Sequence, residues 1–281
     1  MRLGKFPLLP RKARYDKSRY GHTLVVAGSR GMTGAARLTS EAALRSGSGL
    51  VTLASPKGVL RALRLPPELM TLPLPENVAG SLHASALKAI NVYTRRRRVI
   101  ALAVGPGLST DPQTVSLVQK LVAASSVPMV LDADGLNAFR DHTDILRKAK
   151  AALVVTPHER EFKRLFNVSA PARAAARAAL AKKLSKFYDV VLVLKGHRTV
   201  VAGGGKIYEN HTGNAGMAKG GSGDVLTGII AAFIAQGLTP FEAARWAVYF
   251  HGRAGDLAVR KTGQLGLTAS DIIQFLPKAF K

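Results

Sequence analysis

Gly213-Asn214-Ala215-Gly216-Met217-Ala218-Lys219-Gly220-Gly221-Ser222-Gly223-Asp224 runs without a break into the apolar stretch Val225-Leu226-Thr227-Gly228-Ile229-Ile230-Ala231-Ala232-Phe233-Ile234-Ala235. A glycine-dense turn thus opens an apolar helix, with one carboxylate at the junction. Glycine lets the backbone take positive φ and lets a ligand come close to the main chain. The start of a helix presents unpaired N–H groups and the positive end of the dipole. The combination is an anion site of the kind that takes phosphate. A carboxylate is a poor neighbour for phosphate, so Asp224 reads as a base aimed at a hydroxyl beside a transferring phosphoryl group.

Upstream of this junction, short apolar runs at 22–27, 49–54, 99–104, 127–132, 152–156 and 190–195 alternate with helix-compatible segments. Nearly continuous apolar strands fit a parallel sheet buried on both faces. The helical segments are 33–46, 111–124 (opened by Asp111-Pro112, an N-cap followed by proline), 159–166 and 170–186. This alternation predicts a doubly wound α/β sheet. The pattern then changes to a hairpin, 199–202 and 206–209, turned by Gly203-Gly204-Gly205. Helices follow at 224–235 and 240–257, with a short one at 270–275. Residues 63–80 contain Pro66, Pro67, Pro73 and Pro75 and read as an irregular surface excursion. Neither repeats nor a low-complexity linker divide the 281 residues, so the expectation is one domain over 1–281.

Composition removes several chemistries. There is no Cys, which excludes disulfides, thiolate zinc sites and cysteine nucleophiles. The start, Met1-Arg2-Leu3-Gly4-Lys5, lacks the apolar stretch of a signal peptide, and no apolar run reaches membrane-spanning length. A cytoplasmic protein is expected. The formal net charge is +24, from 41 Lys and Arg against 17 acids. The cations are spread along the whole chain. The tightest cluster, Arg95-Arg96-Arg97-Arg98, reads as a solvated strand entry, and aromatics make up only 6%. Base stacking has little to work with. Nucleic acid is therefore expected only as a non-specific, salt-sensitive partner.

In open parallel sheets ligands bind beyond the carboxyl ends of the strands. Five of the six strand candidates lead there into glycine-rich or polar loops. These are Gly28-Ser29-Arg30-Gly31-Met32-Thr33-Gly34-Ala35-Ala36, Gly105-Pro106-Gly107-Leu108-Ser109, Asp132-Ala133-Asp134-Gly135-Leu136-Asn137, Thr156-Pro157-His158-Glu159-Arg160-Glu161 and Lys195-Gly196-His197-Arg198-Thr199. The first fits neither the dinucleotide G-x-G-x-x-G spacing nor a Walker lysine pattern. Asp132 and Asp134 read equally as caps or as ligand contacts. Lys195 reads as a cation for phosphate, and His251 as a packed or hydrogen-bonded core residue.

With these loops taken together, and with Ala42-Ala43-Leu44-Arg45-Ser46-Gly47-Ser48-Gly49-Leu50-Val51-Thr52, the chain resembles the ADP/ATP-dependent NAD(P)H-hydrate dehydratases over almost its whole length. The resemblance implies a ribokinase-like fold: a doubly wound, mostly parallel central sheet with helices on both faces. It implies removal of water from the 6S hydrate of NADH or NADPH, with ADP or ATP as co-substrate and magnesium. Hydrate contacts map onto Ala36 or its neighbour Ala35, Gly107, His158 and Asp224. Adenine-nucleotide contacts map onto Lys195, Gly196, His197, Arg198, Thr199 and Gly223. The resemblance further implies a homo-oligomer, often a tetramer, and assigns epimerisation of the hydrate to a separate protein. The chain departs from the family pattern at Glu159-Arg160, where Pro-Gly is usual, at Ala215 for proline, and at Lys219 and Ser222 for threonine.

The chemistry expected of these residues is phosphoryl transfer to the hydrate's ring hydroxyl, followed by loss of phosphate. Asp224 would take the hydroxyl proton, and the amides of Gly220, Gly221, Ser222 and Gly223 would stabilise the transferring group. An aspartate of ordinary pKa, about 4, is a weak base for an alcohol, so its first role would be positioning. Glu161 and Asp134 are the candidate magnesium contacts. Two other readings share parts of this pattern. One is a ribokinase-like kinase of a small alcohol, and the other is a non-enzymatic module that binds polyanions or nucleotides.

Overall fold

The computed structural model describes residues 6–7 and 12–281; the opening segment read for a leader lies outside them. Strand β1 (His22–Val26) is followed by α1 (Thr33–Arg45), β2 (Leu50–Pro56), α2 (Lys57–Ala62), β3 (Met70–Leu74), α3 (Ala86–Arg96), β4 (Ala101–Val104) and α4 (Pro112–Ala124). Then come β5 (Met129–Leu131), α5 (Asp134–Asn137), α6 (Asp144–Arg147), β6 (Leu153–Val155), α7 (Glu159–Phe166), α8 (Ala174–Tyr188) and β7 (Val191–Leu194). The hairpin β8 (Val200–Gly203) and β9 (Lys206–Glu209) precedes α9 (Ser222–Ala235), α10 (Pro240–Gly266) and α11 (Ala269–Ala279).

The strands form one sheet in the order β3-β2-β1-β4-β5-β6-β7-β8-β9. Pairing is parallel from β3 through β7 and antiparallel at β7–β8 and β8–β9. The order reverses between β1 and β4, which opens a crevice beyond their carboxyl ends. Successive strand residues alternate between two cores, as the period of 2 requires. Val25, Ala101 and Ala103 face the layer built from α1, α9, α10 and α11. Leu24, Val26, Leu102 and Val104 face the layer that carries Ile90 of α3, Leu117 of α4, Phe162 of α7 and Ala181 of α8.

The strands and the doubly wound plan agree with the sequence reading. One expectation fails: residues 63–80 are not wholly irregular, because Met70–Leu74 pairs with β2 as an edge strand. Edge strands tolerate proline, since one side of the strand needs no ladder donor. Pro73 had pointed away from a strand for a reason that holds only inside a sheet. Helix α10 also extends past the expected end, broken by Gly263 at φ 70. Arg95 to Arg98 close α3 and turn toward β4, and all four are exposed.

Helix α9 is buried on all sides from Val225 to Ala235, which explains why its sequence shows no polar face. It packs so tightly on α1 that a Cβ at Gly228 would stand 2.2 Å from the Thr39 carbonyl oxygen and 2.9 Å from the Ala42 Cβ. This contact fixes where the start of α9 lies. Gly228→Ala is expected to cost about 1–3 kcal/mol in urea unfolding at an unchanged m-value, because two backbones must separate. Gly266→Ala, where the nearest atom is 3.8 Å away, should be close to neutral by the same measurement.

Candidate active site

Helix α9 starts from Gly221, whose φ of 89 turns the chain into the helix. The first intrahelical bond runs from the Val225 N–H to the Gly221 carbonyl, so the amides of Gly223 and Asp224 lie ahead of the ladder. The Ser222 amide leans back on the Lys219 carbonyl at 3.4 Å, a weak bond. Its hydroxyl lies 3.3 Å from His251 Nε2. Burial pushes His251 down to about 4, so it is a neutral packing partner for this turn, as its sequence context predicted. Lys219 donates to the Leu265 carbonyl and is tied to the end of α10.

Beneath this turn lies a carboxylate cluster around one ammonium group. Lys195, at the end of β7, places Nζ 2.6 Å from Asp132 Oδ1 and 3.7 Å from Glu161 Oε2. Asp132 is 1% exposed and also accepts from the Thr227 hydroxyl of α9 at 2.8 Å. Burial alone would raise Asp132, but the Lys195 charge and the hydrogen bonds of Lys195, Thr227 and Thr156 outweigh it and hold it ionised, below the usual range. Burial likewise opposes the Lys195 charge, and Asp132 and Glu161 hold it above the usual range. Glycine at 223 leaves room for it: a Cβ there would stand 3.2 Å from Lys195 Nζ and press on it.

Asp224 is the acid without a partner. Among the described residues no donor reaches its carboxylate. Burial, and then the Asp132 charge, push it up to about 7; Lys195 opposes, and Glu161 and Asp134 add to the rise. The ordinary pKa expected from sequence is thus corrected by burial first and by the acids beneath it second. Asp224 changes charge near neutrality, within the range where a carboxylate is an effective general base.

His158 caps α7. Its Nδ1 accepts from the amides of Arg160 and Glu161, while Glu161 Oε2 accepts from the His158 amide at 2.8 Å. Nδ1 is therefore an acceptor and the neutral ring carries its proton on Nε2, 3.4 Å from Glu161 Oε1. Burial lowers the His158 pKa. The departure at Glu159-Arg160 leaves this helix start intact.

Across the crevice, the loops after β1 and β4 are joined by Gly28 N–H to Pro106 O at 2.9 Å and by the Ser29 hydroxyl to Gly107 O at 2.8 Å. Gly107 faces the first turn of α1, with Ala35 and Met32 beside it. Ala36 is fully buried and packs toward Gly28. Of the two neighbours, Ala35 is the one beside Gly107, and Ala36 supports the turn from inside. Residues 196–199 form an exposed or half-exposed turn between β7 and β8, with the Thr199 hydroxyl donating to Gly196 O at 3.0 Å.

The magnesium candidates are both engaged. Asp134 accepts from the Ser109 amide at 2.9 Å and from Asn137 Nδ2 at 3.0 Å, which ties two loops together. Glu161 is buried between His158 and Lys195. No group of three or more His, Asp or Glu residues able to hold a metal occurs among the described residues. The donor set does not fit an all-protein metal cage. It would suit a hydrated magnesium held mainly by phosphate oxygens, with half-buried Asp134 more exposed than Glu161 as the carboxylate that would contact it. Sequence reasoning underrated Asp132. Its place at the end of an apolar strand was the available signal, since a buried acid there needs a cation.

No helix among the described residues is long and apolar enough to cross a membrane. Residues 23–278 match the family model described as NAD(P)H-hydrate dehydratase. The bifunctional NAD(P)H-hydrate repair enzyme Nnr of Moorella thermoacetica is 47% identical over 272 residues, 96% of this chain and 51% of that protein. Nnr of Escherichia coli is 35% identical, over 96% of this chain and 50% of its own length. The chain thus spans about half the length of the curated relatives it matches. The ADP/ATP-dependent NAD(P)H-hydrate dehydratase of Bacillus subtilis, co-crystallised with ATP and Mg2+, superposes with a TM-score of 0.82 at 30% identity, over 98% of this chain and 95% of that one. A hydroxyethylthiazole kinase from Pyrococcus horikoshii shares the fold, with a TM-score of 0.62 at 16% identity. The chain belongs to the NAD(P)H-hydrate dehydratase family.

Proposed function

We propose that this chain removes water from the 6S hydrate of NADH or NADPH, using ADP or ATP as phosphoryl donor. The observation that carries the chemistry is Asp224: a partnerless carboxylate with its pKa raised to about 7, in the first turn of a helix whose leading amides are free.

The hydrate lies in the crevice between β1 and β4, against Ala35, Gly107 and His158, with its ring hydroxyl at Asp224. The nucleotide lies along residues 195–199, with its terminal phosphate at the amides of Gly220, Gly221 and Gly223. Asp224 takes the hydroxyl proton as the new P–O bond forms, and the free amides stabilise the equatorial oxygens. Phosphate then leaves C6 while the ring nitrogen supplies electrons to form an iminium. Loss of the adjacent C5 proton to the departing phosphate or to water forms the C5=C6 double bond and restores the reduced nicotinamide. His158, neutral and protonated on Nε2, can donate a hydrogen bond but carries no charge. Lys195 serves less as a direct phosphate ligand than as the charge that keeps Asp132 ionised. Bound magnesium would neutralise phosphate charge, with the more exposed Asp134 as its first candidate carboxylate and Glu161 as the second. A cytoplasmic homo-oligomer is part of the same reading, and epimerisation of the hydrate is assigned to a separate domain or protein.

Incubation with hydrated NADH or NADPH, magnesium and each nucleotide in turn tests the reading. Recovery of reduced-nicotinamide absorbance is expected. A stable phosphorylated alcohol would instead favour a kinase, and salt-sensitive polyanion binding without turnover would favour a binding module. Asp224→Asn should lower turnover by about a hundredfold or more, with both ligands still bound in calorimetry. For the wild type, kcat/KM should rise with pH and level off above about 7 as Asp224 loses its proton.

The same group sets a stability signature. Asp224 titrates higher in the folded protein than its ordinary 3.8. Its contribution to stability is therefore present below about pH 4 and lost as pH rises through about 7. Asp224→Asn removes that loss, so the variant should melt above wild type at pH 8, with a gain that shrinks toward pH 4. Lys195→Met should act in the opposite direction and cost about 3–5 kcal/mol in chemical unfolding, because Asp132 is left buried and unpaired. Adding Asp132→Asn to it should cost less than the sum of the single changes.

A further inference from the structure

Helix α8 carries a buried arginine that the chemistry above does not use. Arg177 is 7% exposed. Its Nη1 donates to Glu159 Oε1 at 2.6 Å, and its Nη2 donates to the Lys195 carbonyl at 2.9 Å. Its buried Nε–H has no partner. A guanidinium held this way is a poor stabiliser. Burying it costs desolvation and one unmet donor, and the Glu159 side chain it pairs with is 64% exposed.

The two points it joins lie on neighbouring segments of the proposed site, already linked by the Lys195 N–H to the Pro157 carbonyl at 2.9 Å. Glu159 is the first residue of α7 and directly follows His158. The Lys195 carbonyl is the last fixed point before the turn 196–199. That turn uses two left-sided backbone conformations, Gly196 at φ 148 and Arg198 at φ 55, and the second is costly for a side-chain residue. Arg177 also closes over the turn, since a Cβ on Gly196 would be 2.9 Å from its Nη2.

We propose that Arg177 is a positioning residue for the nucleotide. With Glu159 it clamps the turn after β7 to the start of α7, so the turn is ordered before the nucleotide arrives and less ordering is left to the binding step. This rests on the nucleotide placement under the proposed function.

The test uses the purified full chain with ADP and ATP as probes, by calorimetry in magnesium, alongside steady-state turnover of the hydrate. Arg177→Met should weaken nucleotide binding about tenfold and raise nucleotide KM to match, with kcat changed less than about threefold. Arg177→Lys should behave like Arg177→Met, because one ammonium cannot donate along the two diverging directions of the guanidinium. Glu159→Gln should weaken binding about threefold and add nothing further on top of Arg177→Met. Wild-type affinity in Arg177→Lys would make the residue a mere charge and overturn the proposal. So would unchanged nucleotide affinity in Glu159→Gln, which decides the matter alone if the arginine variants do not fold. A wild type that binds nucleotide but leaves the hydrate unchanged would sink the dehydratase reading, while the affinity comparisons still judge the clamp. A wild type that binds neither nucleotide overturns both.

Discussion

The ion pair between Lys195 and Asp132 is the interaction on which the site depends. It joins the end of β7 to the end of β5, and through the Thr227 hydroxyl it reaches α9. Three elements that meet at the carboxyl edge of the sheet are thereby held in one register. A buried pair of this kind is weak evidence for stability, because desolvation takes back most of its Coulombic gain. Its value here is electrostatic. It allows Asp132 to remain an anion under the first turn of α9, and that anion, after burial itself, is the largest influence that lifts Asp224.

In the proposed reaction the arrangement would resolve a conflict built into phosphoryl transfer. A base must be close to the acceptor hydroxyl, yet a permanent negative charge there repels the donor's phosphates. Asp224 is half protonated near neutrality, so its charge is not fixed when the nucleotide enters. The free amides of the α9 turn and the net charge of +24 pull the other way and would favour both of the anionic substrates proposed above. Under the proposed function the excess of basic residues would have a use without a specific nucleic-acid partner, because a positive potential concentrates small anions at the surface.

Much of this was legible in the sequence because the informative features are local. Apolar runs ended by glycine or polar loops locate the strands and their carboxyl edge, and the glycine turn ahead of Val225 locates the start of α9, where the anion site is proposed. What escaped depends on tertiary context. Proline argues against a strand unless the strand is at an edge, and nothing within 63–80 says that β3 is one. Ala35 and Ala36 are equivalent in sequence, and only the packing of α1 on the loop after β4 separates them. Asp132 and Asp134 stand two residues apart, yet one is buried against Lys195 while the other ties Ser109 to Asn137.

Asp224 makes the general point most clearly. Its pKa is set first by burial and then by acids at the end of β5 and in α5 and α7, offset by a lysine at the end of β7. No spacing along the chain encodes that sum, since residues 132, 134, 161, 195 and 224 are brought together only by the sheet order. A motif can therefore name the base and still misjudge its strength. The close approach at Gly228 sets the depth of α9, and depth fixes both the desolvation of Asp224 and its distance from Asp132. A methyl group's worth of movement between α1 and α9 would change the basicity of the carboxylate as well as the packing.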